Sequence, residues 1–285
     1  MRNDFAIFIL THGRPDKQIT LATLAKAGYT GKTYLVIDDE DKQADEYKSK
    51  YGNMVLQFSK QAEALKCDGG DNLDDRRTIL YARNAGFDLA RKLGIKYFLQ
   101  LDDDYQNFEY TVDSKFHYRY IKISKTFNQL IDAWIEFYEA TPALSIALGQ
   151  GGDFLGGAGS VHRLLRRKAM NSFLCSVERP FQFRGRLNED VNTYTVLTHQ
   201  GKLFFSLMHC KLVQMQTQAS QGGITELYKK MGTYAKSFYT VMMCPSAVKV
   251  RDLGDYKSPH FRIHHKINWE RIAPKILDPR FKKVT

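Results

Sequence analysis

No stretch of this 285-residue chain approaches the roughly 18–20 consecutive apolar residues that a membrane span requires. The apolar run FAIFIL follows only Met-Arg-Asn-Asp, too little for a signal peptide, and reads as a first core strand. Cysteine is scarce. Cys67, Cys175, Cys210 and Cys244 are widely spaced and form no C-x-x-C pair, which excludes a zinc ribbon or a disulfide framework and points to a reducing cytoplasm. There is no internal repeat, no low-complexity tract and no stretch polar enough to read as disordered. The glycine-rich GQGGDFLGGAG (149–159) lacks the G-x-G-x-x-G pattern after a first strand and the Lys-Ser/Thr ending of a P-loop. Zinc-finger and recognition-helix motifs are also missing.

Acids are the minority charge, 31 against 42 lysines and arginines, giving a formal +11. Such an excess steers anionic partners: nucleic acid, nucleotide phosphates or an acidic surface. Basic residues cluster at HRLLRRK (162–168), YKK (228–230) and the tail DPRFKKVT, while acids concentrate in IDDED and LDDD. Charge sorted in this way predicts local cation sites within an anion-attracting molecule.

The apolar content of 43% is ample for a large core, and the pattern along it is short alternation. Strands are predicted at 5–10, 33–37, 53–58 and 95–101, with helices over 19–27 and 74–94. Alternation of this kind predicts an α/β fold, one compact unit built on a parallel sheet whose ligands gather at the carboxyl ends of strands. Three strands end in polar clusters, which places Thr11 to Arg14, Asp38 to Asp41 and Asp102 to Asp104 on one rim. Beyond, a helix is expected over 125–140 and strands at LSIALG, MNSFLCSVE, LFFSLM and VMMCPSAVKV, with a capped helix beginning at NEDV. SQGGITELYKK (220–230) reads as a flexible element.

Three adjacent aspartates repel one another, so either water screens them on a turn or a cation sits among them. In ARNAGFDLARKLGIKYFLQLDDDY (82–105) a helix starting with Arg83 and Asn84 feeds a buried strand that ends in D-x-D. The arginine can address phosphate oxygens, and a strand-end aspartate is fixed well enough to ligate Mg²⁺ or Mn²⁺. Arg186-Leu187-Asn188-Glu189-Asp190-Val191 is a second acidic element entering a helical stretch, where the same residues also suit a simple cap. HFRIHHKINW (260–269) holds three of the eight histidines.

The run Ala82-Arg83-Asn84-Ala85-Gly86 followed by Phe98-Leu99-Gln100-Leu101-Asp102-Asp103-Asp104 resembles the GT-A glycosyltransferases, family 2 in particular. The resemblance covers residues 5–110 well and the remainder loosely. It implies a Rossmann-like mixed sheet flanked by helices, with a catalytic domain over 1–251: a nucleotide-sugar half (1–110) and an acceptor half (111–251). Residues 252–285 form an arm that completes the metal and donor site. It implies Thr11, Arg14, Asp38, Asp39, Arg77, Arg83, Asn84, Asp102 and Asp103 at a UDP-sugar donor. Mn²⁺ or Mg²⁺ falls to Asp104 with Asp102 and one downstream histidine, His264 for choice over His260 or His265. Neighbouring histidines on a strand face opposite ways, so only one is expected to bind. Asp190, with Glu189 next, is the implied base that deprotonates the acceptor hydroxyl.

The charge and the 16 Tyr and 18 Phe suit a nucleic-acid acceptor, phosphates on lysine and arginine and an extruded base against an aromatic ring. Gly151, Gly152, Asp153, Arg166, Arg167 and Lys168 are the expected acceptor contacts. In overall plan and in its THGRPD opening the chain is similar to the TET-associated glycosyltransferases of bacterial viruses, which implies sugar transfer to 5-hydroxymethylpyrimidines in DNA. Competing expectations are a glycosyltransferase for surface polysaccharide or protein, and an inactive DNA-binding accessory protein. A nucleotidyltransferase is weaker, because no G-x-G-T-R-like loop follows the first strand.

Overall fold

A computed structural model describes residues 2–154, 157–160, 167–214, 233–254, 256–257 and 261–272. Among these residues nine strands form one mixed sheet. Its first four are parallel: β1 (Phe5–Leu10), β2 (Lys32–Asp38), β3 (Val55–Phe58) and β4 (Tyr97–Asp102) lie in the order β3-β2-β1-β4. The sheet continues through β8 (Phe173–Ser176), β7 (Ala143–Gly149), β9 (Leu203–Gln214), β5 (Tyr105–Val112) and β6 (Tyr118–Lys122). The switch to antiparallel pairing comes at β4–β8. A separate two-stranded ribbon pairs β10 (Val248–Leu253) with β11 (Arg262–Ile267).

Every residue of β1 and nearly all of β4 is buried, as continuous apolar runs covered on both faces must be. Side-chain alternation sends Ala6, Phe8 and Leu10 to one core and Phe5, Ile7 and Ile9 to the other. Helices α1 (Ile19–Lys26), α2 (Ala44–Tyr51), α3 (Lys60–Ala64) and α4 (Leu80–Lys92) connect the parallel strands. Then follow α5 (Phe127–Glu139), α6 (Glu189–His199), α7 (Thr233–Met243) and the short α8 (Trp269–Ile272). Among the described residues no helix is long and apolar enough to cross a membrane.

Gly28 ends α1 with φ +83°, and a Cβ there would lie 2.3 Å from the Lys125 Cα. The turn thus docks against the chain entering α5, where Phe127 N–H donates to the Ala27 carbonyl (3.2 Å). Gly28→Ala should therefore cost about 2–4 kcal/mol, from left-handed strain and from overpacking against backbone. Thermal unfolding checks this; an unchanged midpoint would mean that the two segments separate freely.

Several boundaries differ from the sequence reading. The third strand begins only at Val55, after a 3₁₀ turn at Gly52–Met54. The fourth helix starts at Leu80 rather than 74, because the residues ahead of it bond elsewhere: Asp75 accepts the Arg77 amide (2.9 Å), and the Thr78 hydroxyl donates to the Arg186 carbonyl (2.7 Å) and accepts from the Leu80 amide (3.1 Å). Val241 to Met243, expected in a strand, form the last turn of α7, which stops ahead of Pro245. A short apolar run does not distinguish a strand from a packed helix. The boundary at 110/111 falls inside β5, and that at 251/252 inside β10.

Candidate active site

The register aligns the carboxyl ends of β1, β2 and β4: Leu10 pairs with Val36 on one side and with Asp102 on the other. The three polar clusters therefore do share a rim. Thr11 Oγ1 donates to Asp103 (2.7 Å), Arg14 donates to the other Asp103 oxygen (3.1 Å), and Gln18 and the Tyr47 hydroxyl close around Thr11. The middle aspartate is thus spent on tying two strand ends together. Asp102 and Asp104 remain on either side of it.

At the end of β2, Asp38 accepts from His12 (2.7 Å) and pairs with Lys60 (3.3 Å), while Asp39 accepts from the Lys60 amide (2.8 Å). The bond to Asp38 holds the His12 pKa above its ordinary value against the opposing effect of burial. Neither His12 nor Lys60 was picked out in the sequence. Their position directly after a strand's carboxyl end is the signal that could have found them. An open polar cleft of about 430 Å³ adjoins, lined by Glu40, Lys60, Asp74, Asp75, Arg76 and Arg77. Arg77, expected near ribose or phosphate, lies on that wall and pairs with Asp75 (2.7 Å).

Arg83 holds the centre. Its side chain is 1% exposed, lies over the rings of Phe173 and Phe183, and reaches Glu189 (2.9 Å) and Asp102 (3.1 Å). Burial pulls its pKa down, but Asp102 and Glu189 outweigh burial and the net direction is up. Arg83, expected near the donor, is placed as a buried guanidinium that bridges these two carboxylates. The amide of Asn84, also expected near the donor, exchanges hydrogen bonds with the backbone of Phe183 (3.1 and 2.8 Å) and pins the approach to α6.

Burial drives the Asp102 pKa up to about 7, against Arg83 and with help from Asp104 and Glu189. Asp104 is raised by burial and by the charge of Asp103. Glu189 is raised by burial and by Asp190, with Arg83 opposing. Both residues of the Glu189–Asp190 pair are 7% exposed at the start of α6, where the helix dipole favours carboxylates. Asn188, expected as a cap, has φ 62° and makes no capping bond; it bonds Thr240 on α7 instead.

Beyond Asp190 the charge changes sign. Lys168 bonds His265 (2.7 Å), and its pKa falls to about 8 through burial, with Asp190 as the opposing influence. Burial and then Lys168 lower His265, and burial with Lys168, Arg262 and Lys236 lowers His264 to about 4. The two imidazoles do not diverge across the strand; their centroids are 4.2 Å apart. His264 thus sits among cations, because β11 packs against α7, and the structure does not bring it to Asp102 or Asp104. Asp153, buried, accepts from the Gln150 amide (2.9 Å) and lies 3.8 Å from Arg167, while Gly151 and Gly152 are exposed. Arg166, His260 and SQGGITELYKK lie outside the described residues.

Among the described residues no three His, Cys, Asp or Glu side chains form a metal-ligand group. What β4 offers is two hard carboxylates, Asp102 and Asp104, both raised by burial and by neighbouring negative charge, a cost that a divalent cation relieves. Mg²⁺ and its relatives are commonly held by one or two carboxylates plus substrate phosphates, so this donor set fits such an ion.

The profile of the TET-associated glycosyltransferase family matches residues 5–223. A search of curated proteins finds no match. Among solved structures, one described as a mycobacterial protein is similar at TM-score 0.49 and 9% identity, over 92% of this chain and 83% of that one. Residues 1–349 of S. aureus TarS are similar at TM-score 0.42 and 14% identity; the match covers 83% of this chain and 65% of that one.

Proposed function

Because the chain belongs to the TET-associated glycosyltransferase family, we propose that this glycosyltransferase moves a sugar from a UDP-sugar to a hydroxymethylated pyrimidine base in DNA, with inversion and with Mn²⁺ or Mg²⁺. One observation carries the reading: Arg83 links Asp102 at the end of β4 to Glu189 beside Asp190 on α6. That shared arginine supports a reading in which Asp102 serves the donor side and the Glu189–Asp190 pair the acceptor side.

In this reading Thr11, Arg14 and Asp103 form the floor beneath the nucleotide, and Asp38 and Asp39 border the base with His12 and Lys60. Asp102 and Asp104 would hold the metal ion, which when bound supplies positive charge against the departing diphosphate. Asp190 takes the proton of the hydroxymethyl group while that oxygen bonds to the anomeric carbon. The bond from that carbon to UDP breaks as the new one forms, and its electron pair leaves with the diphosphate. Lys168 and Arg167, beside Asp190 and Asp153, suit the phosphates of the acceptor strand. The four free cysteines agree with a cytoplasmic setting.

Calorimetric UDP binding with and without Mn²⁺ tests the donor side. Wild type should bind more tightly with the metal, and Asp104→Asn should lose at least about tenfold of that gain, as even outer-shell changes at metal sites do. Equal, metal-indifferent binding by both proteins would remove Asp104 from the site.

A further inference from the structure

The last strand of the sheet carries chemistry that the site just described does not use. Among the described residues β6 pairs only with β5, and it is exposed along nearly its whole length. Residues 113–125, DSKFHYRYIKISK, interleave aromatics with Lys115, Arg119, Lys122 and Lys125 against a single acid, Asp113. That acid is occupied, accepting the amides of Lys115 and His117 at the hairpin turn and lying 3.7 Å from Arg119.

Tyr118 and Tyr120 share one face of the strand, as period-two alternation requires, with hydroxyls 2.6 Å apart and rings edge to face. Both lie against Phe154, at 6.4 and 6.1 Å between centroids, and Lys211 sits 3.2 Å from the centre of the Tyr120 ring. Even so, Tyr120 stays 49% exposed, and Phe116 at the hairpin tip is 81% exposed with φ 61°. Charges alone suffice to keep a sheet edge from pairing with another chain. They do not account for aromatic side chains left this exposed at the edge.

This platform connects to the reaction centre through contacts. Phe154 ends the turn after β7 and packs on Gly149, where a Cβ would come within 3.0 Å of its ring. Gln150, the next residue, bonds Asn171 (3.1 Å), and the Asn171 carbonyl accepts from Tyr105 (2.8 Å) and Arg83 (3.4 Å).

We infer that the β5–β6 hairpin is a stacking platform for unpaired DNA bases flanking the acceptor base, with Tyr118 and Tyr120 against the bases and Arg119 and Lys122 on the phosphates. The inference rests on the DNA-acceptor reading and extends it. A base drawn out for reaction leaves its neighbours poorly stacked, and exposed rings take up any base because each has a π-face.

The test uses the full chain and a short single-stranded oligodeoxynucleotide carrying 2-aminopurine, with affinity read by anisotropy and stacking by fluorescence quenching. Wild type should bind and quench. Tyr118→Ala with Tyr120→Ala should weaken binding roughly tenfold or more and abolish quenching. Tyr120→Leu, which keeps bulk at an exposed position, gives the same readout should the double variant fail to fold. Arg119→Glu with Lys122→Glu should flatten the salt dependence. Unchanged affinity and quenching in these variants, with wild type binding, would overturn the platform and leave the DNA acceptor standing. A wild type that binds neither single-stranded nor duplex DNA would overturn both.

Discussion

Asp190→Asn is expected to lower the transfer rate by about 10²–10⁴-fold, the range over which a positioned general base contributes. Donor affinity should hold, because Asp190 lies on α6 beside Lys168 rather than on the rim of β1, β2 and β4. The loss should therefore appear in kcat. Full activity in the variant would move the base elsewhere, with Glu189 less suited while Arg83 holds it. A second readout comes from Lys168. Burial lowers its pKa to about 8 and Asp190 is what pulls it back up, so removing that charge lets the lysine lose its proton at lower pH. Acceptor affinity in the variant should accordingly begin to fall at a lower pH than in wild type.

Arg83→Met should be the most destabilising single change in the site. It removes the partner of two carboxylates that the fold has taken largely out of water, Glu189 at 9% and Asp102 at 26% side-chain exposure. Breaking one side of a buried pair costs about 3–5 kcal/mol, chiefly by stranding the remaining charge. For a chain of this size that is a fall in Tm of roughly 10 °C. Combining the change with Glu189→Gln should recover part of the loss, since the stranded charge goes with it. A Tm unmoved by Arg83→Met would mean that Glu189 and Asp102 do not depend on the bridge, and the single-site account would lose its main support.

The parallel part of the sheet was legible in the sequence because its signals are local. FAIFIL, TYLVI and YFLQL are short apolar runs that each end in polar residues, and parallel pairing then fixes their ends on one rim without further information. The place of Asp102 to Asp104 on that rim was readable for the same reason. The roles within the triplet were not, since the spending of Asp103 on Thr11 and Arg14 depends on contacts 92 and 89 residues away in the chain.

The rest of the site was harder. The bridge from Arg83 to Glu189 spans 106 residues, and no spacing rule links them. Asn84 on α4 turns toward Phe183, 99 residues away, which its neighbours in the chain do not announce. The surroundings of the histidine pair were not legible either, because β11 answers to α7 and Lys168, which the sequence does not bring near. The β5–β6 hairpin escaped notice since its alternation is of aromatics and cations, with few aliphatic residues to mark a strand.

The most direct measurement is sugar transfer from UDP-sugars in the presence of Mn²⁺, with DNA that carries or lacks 5-hydroxymethylpyrimidines, followed by mass analysis of the nucleosides. The account predicts sugar on the hydroxymethylated DNA alone, with the anomeric configuration inverted and no product from Asp190→Asn. UDP released with a metal but no sugar on either DNA would contradict the claim and move the acceptor to a glycan or a protein.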